Sequence, residues 1–131
     1  MVPDCTNIAV DPQGNVIASG PGYIRRLIDS DGDGLDEQYA TLVDGPSRGA
    51  QGLCFAESSL FYVGDNGVWQ VDEAGEPGDS KPNRVLEIKT GGEHNAHAIR
   101  KGPDGFWYLI AGNSTKGMFE LQKCSSSLME I

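Results

Sequence analysis

Three stretches of this chain share one form: NIAVDPQGNVIASG at residues 7–20, GLCFAESSLFYVG at 52–64 and HAIRKGPDGFWYLIAG at 97–112. Each reads as a strand, a tight turn, a second strand and a closing glycine. The closing glycines, Gly20, Gly64 and Gly112, stand 44 and 48 residues apart, within the range of blade-sized structural repeats. The likeness is one of form, with weak identity between copies.

In each copy the turn is rich in Pro, Asp, Gly or Ser, and the second strand is β-branched or aromatic, as hairpins require. Asp11-Pro12-Gln13-Gly14 and Gly102-Pro103-Asp104-Gly105 are the clearest of these turns. A third strand is predicted after each glycine, at 23–28, 68–71 and 118–121, and a fourth at about 39–43, 84–88 and 127–131. Eighteen glycines and seven prolines fit many turns and short strands, so the fold class is all-β. Four antiparallel strands per repeat describe a β-propeller blade, whose inner strand lines a central channel. The 131 residues are read as a single domain of three blades, about 7–44, 52–90 and 97–131, half of a six-bladed propeller. A half ring leaves two apolar blade faces exposed. Two copies are therefore expected to associate as a homodimer, closing a six-bladed ring with two-fold symmetry. A truncated chain or a short open sandwich is the alternative.

Between the third and fourth strands of the first repeat runs Asp29-Ser30-Asp31-Gly32-Asp33-Gly34-Leu35-Asp36-Glu37, with carboxylates at loop positions 1, 3, 5 and 9 and glycine at 6. Hard oxygen ligands at alternating positions wrap a Ca²⁺ ion, and the glycine permits the sharp turn between them. The candidate ligands are the side chains of Asp29, Asp31, Asp33 and Glu37, with the Leu35 carbonyl between. A helical calcium hand also needs a bidentate glutamate at position 12, which here is Ala40. The loop instead resembles the hairpin calcium loops of integrin-type propellers, where the last carboxylate comes at position 9. The expected role is structural, because the loop offers several carboxylates and no open position for a substrate. An unmetallated acidic turn is the alternative.

Both histidines fall in Gly91-Gly92-Glu93-His94-Asn95-Ala96-His97-Ala98-Ile99-Arg100-Lys101, at the entrance to the inner strand of the third repeat. Loops held there by a rigid sheet are where ligand groups are placed, and histidine exchanges protons most readily near neutral pH. The pattern is His-Asn, then Gly-Pro-Asp beginning eight residues after the histidine, then an aromatic strand ending in glycine. In His94, Asn95, Gly102, Pro103, Asp104, Tyr108 and Gly112 it resembles the soluble glucose and sorbosone dehydrogenase family, six-bladed quinoprotein propellers that use pyrroloquinoline quinone (PQQ). Together with the acidic loop and the blade rhythm, it is similar to the dehydrogenase-type propellers of planctomycete bacteria over most of the chain. The resemblance implies His94 as the general base that takes the proton from a sugar hydroxyl as hydride leaves. The candidate cofactor-binding residues are His94, Asn95, His97 and Arg100, the last as a contact for an anion in the channel. The alternative is a pair of partly exposed loop histidines without a chemical role.

Charge and composition narrow the partners. With 19 acidic against 10 basic residues the formal net charge is −9, a field that repels phosphate backbones and gives no footprint for nucleic acid. Cys5, Cys54 and Cys124 are an odd number at no ligand spacing, and all three are read as structural. No apolar stretch approaches the ~20 residues needed to span a bilayer. The start, MVPDCTNIAV, has no leader pattern, so a soluble chain is expected, extracellular or periplasmic if a leader has been removed. Two functions from different classes follow. One is a calcium-stabilised propeller module that binds a small molecule or a protein over its channel; the other is part of a PQQ-dependent sugar or alcohol dehydrogenase.

Overall fold

The computed structural model describes residues 1–72, 81–91 and 96–111, and over them the chain is all-β, with ten strands and no helix. Strands β1 (Asn7–Val10), β2 (Val16–Gly20), β3 (Tyr23–Ile28) and β4 (Gln38–Val43) form one antiparallel sheet in sequence order. Strands β5 (Gly52–Ala56), β6 (Ser59–Gly64), β7 (Gly67–Asp72) and β8 (Asn83–Glu87) form a second in the same order. Strands β9 (Ala96–Lys101) and β10 (Trp107–Ala111) pair as a third. The strands expected at 118–121 and 127–131 lie outside the described residues, as does Cys124. Among the described residues no helix is long and apolar enough to cross a membrane.

Turn chemistry sets these hairpins. β5 and β6 are joined by Glu57-Ser58, with φ of 53° and 65°, and β6 and β7 by Asp65-Asn66, with φ of 44° and 58°. Two consecutive residues of positive φ give the twist that a two-residue hairpin needs. The longer β1–β2 and β9–β10 turns are copies of one another. Asp11 N donates to Asn15 O at 2.9 Å and Gly14 N to Asp11 O at 3.0 Å, as Gly102 N donates to Phe106 O at 2.8 Å and Gly105 N to Gly102 O at 3.0 Å. Gly14 and Gly105, at φ 90° and 84°, take the same left-handed position, which a Cβ would strain.

The repeat reaches below the level of strands. The register breaks between Ile24 and Arg25 where β3 meets β4, and again between Val68 and Trp69, 44 residues on, where β7 meets β8. Gly22 N donates to Pro46 O at 2.9 Å, and 44 residues further along Asn66 N donates to Thr90 Oγ1 at 2.8 Å. Each tie fastens the turn between second and third strands to the segment that leaves the sheet.

Period-two alternation then decides which residues meet. Ile17, Ile24 and Val43 of the first sheet pack against Leu53, Leu60, Tyr62 and Val71 of the second. The opposite face of the second sheet, with Phe61, Val63, Val68 and Leu86, packs against Ile99 and Trp107 of the third. The Phe61 and Trp107 rings meet with centroids 4.3 Å apart. Cys54 packs against this second core as a free thiol, whereas Cys5 is exposed. The first strands of the three sheets, β1, β5 and β9, lie side by side. Side chains rather than a ladder join them: Asn7 Nδ2 donates to Gln51 O at 3.0 Å, and Arg100 Nη1 to Leu53 O at 2.8 Å. Up-and-down connection puts the β1–β2 turn and the β3–β4 loop at one end of the sheets, and the β4–β5 and β8–β9 segments at the other.

Candidate metal centre

The acidic loop starts where β3 ends at Ile28, and Glu37 N closes its base on Ile28 O at 3.1 Å. Inside, each carboxylate folds the backbone around itself, as short Asp side chains do in turns. Asp29 accepts from Gly32 N at 2.7 Å and Gly34 N at 2.8 Å, Asp31 from Asp33 N at 3.1 Å, and Asp33 from Leu35 N at 2.8 Å. Glu37 Oε2 reaches back to Ser30, accepting from its amide at 2.9 Å and its hydroxyl at 2.7 Å. The loop therefore turns its carboxyl groups toward a common point.

Asp29, Asp31, Asp33 and Glu37 each bring one ligand oxygen within 4.8 Å of all the others, and all four residues are exposed. Oxygens on opposite sides of a calcium-sized ion, with bonds of about 2.4 Å, stand about 4.8 Å apart, so each pair of these oxygens is close enough to share one ion. The four oxygens suit a hard divalent cation and offer no soft ligand. Two of the carboxyls are held in the charged form by their donors. The Gly34 amide, aided by those of Gly32 and Asp33, keeps Asp29 below its ordinary value. The Ser30 amide and hydroxyl do the same for Glu37. Among the described residues this is the one group of His, Cys, Asp and Glu arranged to hold an ion. Leu35 lies within the loop, 70% exposed, between Asp33 and Glu37.

The other predicted site residues fall differently. His94 and Asn95 lie outside the described residues, and of His97, the second residue of β9, the backbone alone is described. Arg100 Nη1 is engaged by two backbone carbonyls, Leu53 O at 2.8 Å and Ile99 O at 2.7 Å, which ties the third sheet to the second. Beside it Lys101 pairs with Glu57.

One feature carries no local sequence signal. At the end of the sheets away from the acidic loop, a cavity of about 290 Å³ forms among the β4–β5 segment, the β6–β7 turn and the start of the β8–β9 segment. Ser47, Arg48, Gln51, Asp65, Asn66 and Thr90 line it. Asp65 Oδ1 is held by the Ser47 amide at 3.0 Å and hydroxyl at 2.8 Å, and Asn66 by Thr90, leaving Arg48 as an exposed cation on the rim. These residues come from three separate segments, so no spacing announces them.

Comparison with protein-family models, with curated proteins and with solved structures finds no match.

Proposed function

We propose that this chain is a calcium-stabilised β-propeller module that binds a small molecule or a protein partner over its channel. Three features support the propeller reading: a second sheet that repeats the first 44 residues on, face-to-face packing of successive sheets, and first strands lying side by side. The observation that carries the metal reading is the convergence of Asp29, Asp31, Asp33 and Glu37 within 4.8 Å. The ion would bridge the two ends of a nine-residue loop and fix the spacing of β3 and β4, a structural role. Ligand binding fits the other end, where the polar cavity opens beside Arg48.

Calcium that binds the folded state alone stabilises it in proportion to the logarithm of its free concentration. At about 100 times the dissociation constant the gain is about 2.7 kcal/mol. For a domain of this size that raises Tm by roughly 10 °C. Thermal melts with a chelator and then with excess Ca²⁺ measure it, and Asp31→Ala removes the response without touching either core. A Tm indifferent to both additions, with no Ca²⁺ uptake by calorimetry, overturns the metal reading. The dehydrogenase reading rests on His94 and Asn95, for which the described residues give no geometry.

A further inference from the structure

Among the described residues the stack of three sheets ends in two outer faces that carry exposed apolar side chains, and the repeat identifies what each is built to meet. On the first sheet Ile8 and Val10 point away from the second sheet and are 63% and 62% exposed. Ile8 pairs with Ala18 and Val10 with Val16, just as Leu53 pairs with Tyr62 and Phe55 with Leu60 in the second sheet. Those counterparts, 45 residues on in the first strand and 44 on in the second, are the residues with which the second sheet covers the first. The free face of the first sheet is thus the half-interface that the second sheet already uses.

The other end of the stack is its complement. In β10, Trp107 and Leu109 face the second sheet, while Tyr108 and Ile110, which alternate with them, are 53% and 65% exposed. Trp107 and Leu109 occupy the places of Leu60 and Tyr62, since Leu109 pairs with Ile99 as Tyr62 pairs with Leu53. Tyr108 therefore stands where Phe61 stands in the second sheet, and Phe61 covers the third sheet; Ile110, at the register shift between Leu109 and Ala111, is exposed two residues on. One chain carries both halves of an interface that it uses twice internally, and on each outer half leaves two apolar side chains exposed, Ile8 and Val10 on the first sheet and Tyr108 and Ile110 on the third.

We infer that a second copy of this chain docks head to tail, its Tyr108/Ile110 face on the Ile8/Val10 face of the first, and that the reciprocal contact closes a pair. The N-terminal residues cover part of the same face and leave Ile8 and Val10 exposed. Tyr23 Oη donates to Pro3 O at 2.9 Å and Arg25 Nη1 to Met1 O at 2.6 Å, so this segment lies over β3 and not over the exposed side chains of β1. A heterologous contact of this kind either closes or propagates, and two contacts per pair satisfy every open face. The inference goes beyond the calcium reading and does not rest on it.

Light scattering with size-exclusion chromatography tests it on the full chain, with and without Ca²⁺. The expected mass is about twice the 14.0 kDa of one chain. Val10→Glu and Ile110→Glu each set a charge in the dry contact and weaken association by at least about tenfold. Both positions are exposed in the single chain, so each variant keeps the wild-type circular dichroism. Mixing the two variants restores a pair, because each keeps the half that the other has lost. A single-chain mass for the wild type overturns the inference. So does an open ladder of larger species, or an Ile110→Glu protein that still pairs fully, as a contact of the β1 face with itself would.

Discussion

Replacing Trp107 by alanine lowers the free energy of unfolding by about 3–5 kcal/mol, the range for emptying a large aromatic site in a packed core. The indole is 3% exposed and stands at the junction of the second and third sheets, against the Phe61 ring. The third sheet has only β9 and β10 among the described residues, so this ring supplies much of what fastens it. Urea melts followed by circular dichroism measure the loss. A change below about 1 kcal/mol would mean that the third sheet does not pack on Phe61, Val63 and Val68 as described.

The second large effect comes from a carboxylate. Asp11 is 4% exposed, and its oxygens accept from Gln13 N at 3.0 Å, Asn15 N at 2.8 Å, Asn15 Nδ2 at 2.9 Å and Arg26 Nε at 3.0 Å. It organises the β1–β2 turn and ties that turn to β3. Asp11→Ala leaves those donors without their acceptor and is expected to cost about 2–3 kcal/mol, short of a fully buried pair because Arg26 stays partly in water. Burial opposes the charge on Asp11, but the Asn15 donors, then Arg26 and Gln13 N, outweigh it and hold the carboxyl below its ordinary 3.8. A depressed value in the folded state stabilises above pH 3.8 and is lost as pH falls through the folded value. The gap between wild type and Asp11→Ala should therefore be full at neutral pH and shrink below about pH 3.8. Urea titrations at pH 7 and pH 3 compare the two proteins, and a gap that widens in acid would reverse this account.

The strand order was legible because hairpins announce themselves locally. Prolines, glycines and short polar residues fall between apolar runs, and β3 spans Tyr23–Ile28 as expected, while β4 and β7 begin one residue early. The acidic loop was legible for the same reason, since its four carboxylates come from nine consecutive residues and the backbone bonds that converge them are all local. What the pattern did not disclose is long-range. Asp11 and Arg26 meet across a hairpin, and Ser47 meets Asp65 across 18 residues. The Arg48 cavity assembles from three segments far apart in the sequence, 47–51, 64–66 and 90–91. Arg100, read as a contact for an anion in the channel, bonds the Leu53 carbonyl through Nη1, a partner 47 residues away that no local rule selects.

Within a single chain, and among the described residues, the second sheet alone has a neighbour on each side, with Leu53 and Tyr62 against one and Phe61 and Val63 against the other. A flanking layer can peel off by surrendering one seam, whereas exposing the centre means breaking two. Its strands are thus the kinetic keel of the molecule: opening begins at the flanking sheets, and proteases or deuterium reach Leu60 to Val63 last.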